Sequence, residues 1–541
     1  MTSRSTSSRH SQNTPWPALV VVALVALAVL FVAGCGTSSS SPSSSASPGG
    51  IQTGGTLTVG CQPPANLDPH FAALAPEELI NHQIYDWLVI LDAQNQPTPD
   101  LATAWEMSPD GKTWTFTIRD GVKFSDGTPL TMDDIVYSFD RMKDPKIGAP
   151  TSSVYTYVKS ISAPDANHVV FNLSSANPEF VKDVADYHAA IIAKKVKNPA
   201  KEWLGTGPFM VQKYVAEDRM ALVKNPNYWG KDAQGSQLPY LDGLTFVFSP
   251  DEGSQVSGLQ GGQTQFVAGL SSELAAQVKS DPALKVVTTP SNFHLLIHMR
   301  SDAGHPASNP KLRQALKLGT DVQGLINIVR PGLATVGNIT PVGPVYGAYY
   351  LDQPPEYNVD KAKQLLAEAG YPNGYKLTLY AQQYGDVNAF ATAWKEQMSK
   401  IGVTVDIQSV PADVYYSNTG DASWLKCDYG ITNWADRATP VAYYNLAYVT
   451  KGLYNESHWS DPEFDALTKQ INSELDSTKR TELYQQSQTI LVGRGPVIVM
   501  GHENAVAGQS TKVDGITLAV DWAKTTFGTC LLYTSPSPRD S

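Results

Sequence analysis

From Asn309 to Val410 the chain alternates helical and strand-like stretches, and this limits the fold more than any other feature. Asn309 can cap a helix, Pro310 suits its first position and Gly319 can end it. Asn358 to Ala369 predicts a helix stopped by Gly370, and Lys376 to Tyr380 a strand. Asn388 to Ile401 predicts a helix stopped by Gly402, and Val403 to Val410 a strand. Strand, helix, strand at this spacing is a βαβ unit with a right-handed crossover. Asp461-Pro462 and Ser477 each open a further helix, and Pro496 to Met500 is a late strand.

The earlier part of the chain follows a different period. Trp114, Phe116 and Ile118 alternate with Thr113, Thr115 and Thr117, which makes a half-buried strand. Thr131 with Asp134 predicts a capping box opening a helix to Met142, and His168 to Leu173 is another strand. Thr56 to Gly60 and Leu244 to Phe248 read as strands, Glu77 to Leu91 as helix then strand, and Ser254 to Leu259 as the start of a helix. Leu295 to Met299 is apolar and strand-like. The sum is an α/β chain with a β-rich section ahead of its alternating half.

Both ends read as something other than fold. Arg4 and Arg9 precede an uncharged apolar run from Ala18 to Phe31, then Val32-Ala33-Gly34-Cys35. A positive start, a short apolar core and small residues at a cleavage site make a secretory signal peptide. The run is short for a spanning helix, which needs about 20 apolar residues. Ala33-Gly34-Cys35 resembles a bacterial lipobox, which implies cleavage before Cys35 and a diacylglycerol on its sulfur. Two acyl chains suffice for stable anchoring. The Ser/Pro/Gly-rich stretch to Thr53 is a flexible tether. At the other end, Leu531 to Ser541 (LLYTSPSPRDS) resembles translated sequencing-adaptor read-through and is set aside from fold reasoning.

Removing Arg4 and Arg9 with the leader takes the formal charge from −11 to −13. Such an acidic chain carries no electrostatic footprint for nucleic acid. Cys61 and Cys427 could pair in an oxidising compartment, but free buried thiols are the simpler expectation, and the cysteine spacing fits no metal motif. His294 and His298 share a face of a strand with no third ligand nearby in sequence, so a structural role is expected. There is no H-E-x-x-H, no G-x-S-x-G and no Walker A loop. Pro208 after Gly205-Thr206-Gly207 removes an N–H that a phosphate loop would need, so that segment is a turn. No catalytic residue, metal or cofactor is expected, and a secreted hydrolase is disfavoured.

Nine short segments then match one family in order: Asn66-Leu67-Asp68-Pro69-His70; Pro99-Asp100-Leu101-Ala102 with Trp105-Glu106; Asp110 to Phe116; Arg119 to Gly127; Gly205 to Phe209; Asn225 to Trp229; Leu312 to Leu316; Ala362 to Gly370; and Trp434-Ala435-Asp436. Over Gly55 to Asp521 the chain resembles the family 5 solute-binding proteins of ABC importers, which bind peptides, nickel chelates, opines or oligosaccharides. The resemblance implies a two-lobed periplasmic-binding-protein fold of type II, with an extra β-rich subdomain. Lobe I would comprise residues 55–87, 205–290 and 495–528, the extra subdomain 88–204, and lobe II 291–494. Residues 1–34 would be the signal peptide, 35–54 the lipid-anchored tether and 529–541 an added tail.

The implied function is capture of a small solute between closing lobes and its delivery to a membrane permease and its ATPase. The protein would work as a monomer on the outer face of the cytoplasmic membrane. In peptide-binding members an aspartate at the position of Asp436 pairs with the ligand α-amino group. Trp434, Arg437 and Tyr384 are the other candidate ligand-binding residues. Dipeptide-binding members carry an arginine shortly after the strand ending here at Tyr380; this chain has Ala381-Gln382-Gln383-Tyr384-Gly385. Longer peptides stay open, as do an oligosaccharide, a nickel chelate, or a receptor role without a transport partner.

Overall fold

The computed structural model describes residues 53–383, 385–417 and 420–532, so Cys35 and Tyr384 lie outside the described residues. One sheet of eleven strands runs through the molecule. From one edge its order is Val403–Val410, Tyr375–Gln382, Tyr429–Trp434, Leu284–Met299, Val497–Ser510, Phe266–Ala268, Thr56–Cys61, Gly243–Phe248, Arg219–Lys224 and Phe209–Val215. The short strand Ala334–Thr335 pairs with Val497–Ser510 off this path.

The expected βαβ unit is present. Tyr375–Gln382 and Val403–Val410 pair in parallel along their whole length. The connecting helix Val387–Ser399 buries Phe390, Trp394 and Met398. The Trp394 indole donates to Thr320 Oγ1 at 2.8 Å, which satisfies the polar edge of a fully buried ring.

Two long antiparallel strands hold the molecule together. The first part of Leu284–Met299 pairs with the second part of Val497–Ser510, as in Thr288 with Val506. The remainder pairs as His294 with His502 and His298 with Val497. The ladder is irregular between Thr289 and Phe293. Pro290 in that gap cannot donate to a ladder. The ladder slips a second time between the His294–His502 and Leu296–Val499 pairs, and there Gly501 adopts φ +121°, a conformation costly for any residue with a Cβ.

Separate cores lie on either side of this break. One contains Leu57, Ile80, Phe246 and Phe527. Another contains Ile297, Leu316, Leu379 and Trp394, and a third, aromatic one contains Tyr443, Tyr444, Phe464 and Tyr484. The fold is two-lobed, with the long strands passing from one lobe to the other. The β-rich section forms its own antiparallel sheet, ordered Ala102–Met107, Thr113–Ile118, His168–Leu173, Val158–Ser162. Trp114, Phe116 and Ile118 are buried on one face, as their alternation predicts, and their core is continuous with that of the first lobe.

The Gly-Thr-Gly-Pro turn has a packing reason. Gly207 N donates to Ile84 O at 3.0 Å, and a Cβ at Gly205 would lie 2.0 Å from the same oxygen. Thr206 and the Trp229 indole both donate to Asp86 Oδ2 at 2.8 Å, so two of the sequence motifs meet over one buried carboxylate. The backbone cannot yield here as a side chain could. Gly205→Ala is therefore expected to cost about 3 kcal/mol or more, the upper end for overpacking, read as a lowered urea midpoint at unchanged slope.

Other expectations meet the structure as follows. Cys61, Cys427 and Cys530 are buried free thiols. His294 and His298 are fully buried in the long strand, and among the described residues no group of three His, Cys, Asp or Glu could hold a metal. The exclusion of everything from residue 529 onward from the fold is corrected at its start. Cys530 is buried, and Leu531–Leu532 pairs with Val513–Asp514, because Val513 and Phe527 leave an apolar face there to cover. Among the described residues no helix is long and apolar enough to cross a membrane.

Candidate ligand-binding site

The strand Tyr429–Trp434 is buried almost throughout, as befits an inner strand with neighbours on both sides. At its C-terminal end it delivers Trp434, Ala435, Asp436 and Arg437 into the region between the lobes. Trp434 is buried in the aromatic core, and its indole donates to Glu456 Oε1 at 3.1 Å. Thr432 donates to the other oxygen of Glu456. Burial pushes Glu456 up to about 7, and these two donors hold it from going higher.

The next turn is clasped from two sides. Tyr443 Oη donates to Ala435 O at 2.9 Å and receives Asn292 Nδ2 at 2.9 Å; Tyr346 Oη donates to Arg437 O at 2.6 Å. Asn292 sits on the long strand Leu284–Met299, beside its irregularity. The turn that carries Asp436 is thus tied to the element linking the lobes.

Asp436 is only 6% exposed; its Oδ1 makes no hydrogen bond of good geometry, and the Asn95 side chain is the donor that bonds this carboxyl. Burial pushes its carboxyl up to about 7, against the pull of Lys524, Arg437 and the facing Asn95 side chain. A buried carboxylate oxygen without a partner is expensive unless something else supplies the donor. Arg437 is half-buried, its guanidinium 5.9 Å from the centre of the Trp434 ring. Three of the four candidate residues are therefore adjacent, while Tyr384 lies outside the described residues.

A model of the bacterial extracellular solute-binding proteins, family 5, matches residues 96–455. The chain belongs to this family. Glutathione-binding protein GsiB of Salmonella typhimurium is 26% identical over 484 residues, covering 84% of this chain and 90% of that relative. Among solved structures, AgaA of A. tumefacien R10 in complex with agropinic acid is 24% identical, with a TM-score of 0.73 over 89% of this chain and 99% of its own. DppA of Helicobacter pylori, an ABC transporter-associated periplasmic binding protein in complex with the peptide STSA, is 23% identical with a TM-score of 0.72 and the same coverage. This solute-binding protein of an ABC importer is not an enzyme, and its family works outside the cytoplasm.

Charged residues from distant parts of the chain stand around Asp436 and Arg437. Glu78 on helix Ala75–Ile84 is buried, and its Oε2 has no partner. Burial and the nearby Asp521 push its carboxyl well up, and Lys524 opposes them. Lys524 lies 3.8 Å from Asp521 and also senses Glu78, Asp436 and Asp186. Tyr187 and Asp186 sense Arg437 across the cleft. Glu78, Asp436 and Asp521 thus surround Lys524 and Arg437, while Asp186 is also paired with His188 at 2.7 Å. The arrangement favours a ligand that brings a positive charge and N–H donors.

Sequence reasoning missed Glu78, Asn95, Asp186, Asp521 and Lys524. Glu78 reads as an ordinary first-turn acid of a helix, where carboxylates favour the dipole. Asn95 sits in a turn and Lys524 at the end of the short helix Trp522–Lys524, with no motif around either. Only their convergence on Asp436 and the neighbouring Arg437 and Lys524 marks them.

Proposed function

We propose that this protein captures short peptides, with the peptide α-ammonium on Asp436, and delivers them to a membrane permease powered by its ATPase. The observation that carries this reading is the buried Asp436 carboxyl, which stands among Asn95, Lys524 and Asp521 with its Oδ1 in no hydrogen bond of good geometry. GsiB and DppA, related over most of the chain, are described as binding glutathione and a peptide. In this reading residues 55–87, 205–290 and 495–528 form lobe I, 88–204 its extra subdomain and 291–494 lobe II. Closure bends the chain at Pro290–Asn292 and Gly501, where the ladder is already broken. Ligand contact with both lobes shifts the balance toward the closed form.

The test is retention of a peptide pool by the full chain in detergent, compared with the same pool N-acetylated. Loss of retention on acetylation supports ammonium capture; equal retention of both pools rejects it. The protein acts as a monomer tethered through a lipid on Cys35. Labelled fatty acid is expected to stay with the wild type in denaturing gels and to be lost from Cys35→Ala, whereas label retained by the variant would exclude that anchor.

A further inference from the structure

The β-rich section makes a second contact besides its continuity with the first core. Its four-stranded sheet is separate from the long sheet, so no strand ladder makes this contact. Residues 177–183 leave that sheet and meet helix Ser477–Arg494. Glu179 is 6% exposed, and its Oε2 accepts from Tyr484 Oη at 2.7 Å, 305 residues away. The Lys182 ammonium lies 3.7 Å from the other Glu179 oxygen and 5.7 Å from the centre of the Tyr349 ring, which packs on Tyr484 at 4.5 Å between centres. Leu475, just ahead of the same helix, lies against Gly111; a Cβ on Gly111 would come within 2.6 Å of Leu475 Cδ2.

Each side of this contact is held by its own core. Asn177 Nδ2 donates to Asp183 Oδ2 at 2.8 Å, and the Asn177 carbonyl receives the Trp114 indole at 3.0 Å. Phe180 packs among Trp114, Phe116 and Phe171. Tyr484 belongs instead to the aromatic core with Tyr444 and Phe464. The seam between the two is not filled. A cavity of about 330 Å³ separates residues 94–96 from Tyr346 and Tyr349. Two faces that touch at a few points beside a void can part without unfolding either one. On parting, the Glu179 carboxylate and the Tyr484 hydroxyl regain water. Neither element belongs to the crossing strands Leu284–Met299 and Val497–Ser510, where the ladder is broken.

We propose that Glu179, Tyr484 and Leu475 form a clasp by which the extra subdomain holds the two lobes closed, with or without ligand. This rests on the division into lobes given above and not on the choice of peptide as ligand. The clasp gives the closed form a fixed advantage, so a ligand has less of the population shift left to supply.

The experiment measures two distances by double electron–electron resonance in the full chain in detergent, with spin labels on added cysteines. The described native thiols are buried. One label pair, Lys159→Cys with Lys479→Cys, spans the clasp. The other, Lys213→Cys with Lys363→Cys, spans the lobes apart from it; all these positions are exposed. The otherwise wild-type chain is expected to populate a short distance in both pairs without ligand. Tyr484→Phe keeps the ring and removes the donor to a buried carboxylate, so the open-to-closed ratio should rise at least about tenfold in both pairs. Leu475→Asp, at a side chain 37% exposed, should act in the same direction. Lengthening of the Lys159–Lys479 pair alone overturns the clasp, because the subdomain then moves without the lobes. Long distances only, in the ligand-free chain, overturn it too. If a tripeptide pool shortens both distances while neither variant lengthens them, the lobes close without a clasp and only this inference falls. A Lys213–Lys363 distance fixed in every sample overturns lobe closure along with it.

Discussion

Asp436→Asn is expected to weaken peptide binding at least about 30-fold while raising the melting temperature of the ligand-free protein. The binding loss follows from removing one partner of a buried charge pair, which costs about 2–5 kcal/mol. The gain in stability follows from linkage. Burial raises the Asp436 carboxyl from 3.8 to about 7 in the folded state. Between those two values the folded protein binds more protons than the unfolded chain, so this group's contribution to stability falls as pH rises from about 4 to about 7. Above that range the ionised carboxylate costs on the order of a few kcal/mol, which a neutral amide avoids. Binding carries the opposite sign. The ligand ammonium needs the ionised carboxylate, so affinity should fall up to about tenfold per unit as pH drops below 7. Titration calorimetry from pH 8 to pH 5.5, with melting curves at each pH, checks both. A variant that binds like the wild type, or is less stable than it at pH 8, would exclude the assigned role.

Arg330→Met is expected to cost about 3–5 kcal/mol of stability, the range for breaking a buried ion pair from one side. Arg330 ends helix Val322–Val329, with its Nε 2.9 Å from Asp386 and its Nη2 3.1 Å from Glu503. All three side chains are nearly inaccessible. Burial already pushes Glu503 upward, with Arg330 the main opposing influence. Without the guanidinium, two carboxylates remain in one buried site. Asp386 also accepts from Ser272 Oγ at 2.9 Å, so the same cluster joins the alternating half of the chain to helix Ser272–Ser280 on the other side. Denaturant unfolding at pH 7.5 measures the loss. Lowering the pH should recover part of it, because a protonated Glu503 no longer needs the cation. A midpoint within about 0.5 kcal/mol of wild type would show that the carboxylates find other partners.

Among the site residues, Asp436 was legible because Trp434-Ala435-Asp436 is contiguous and closes a strand whose apolar character is visible locally. Arg437 came with it by adjacency. The polar residues around them were not legible, because Lys524 sits in a three-residue helix and Asn95 in a turn that any hairpin might use. A lysine in sequence is most often a solvated one; that Lys524 stands among Asp521, Glu78 and Asp436 is a property of its surroundings.

The sequence by itself determined the local elements. The parallel unit from Tyr375 to Val410 and the helices capped by Asn309, Asn358 and Asp461 follow from signals within one or two turns of chain. So does the alternating strand Thr113–Ile118. Only the tertiary structure decided the crossing strands and the cleft. Leu295 to Met299 announces itself as strand, but Leu284 to Ser291 is half polar without alternation and contains Pro290, and it is extended because Val497–Ser510 pairs with it. A strand whose ladder partner lies about 200 residues away takes its form from that partner, not from its own period. The meeting of Glu78, Asn95, Asp186, Asp436 and Lys524 has the same origin. Hydrophobic periodicity says which face of an element is buried, but it carries no information on which polar groups of two lobes will share the space between them.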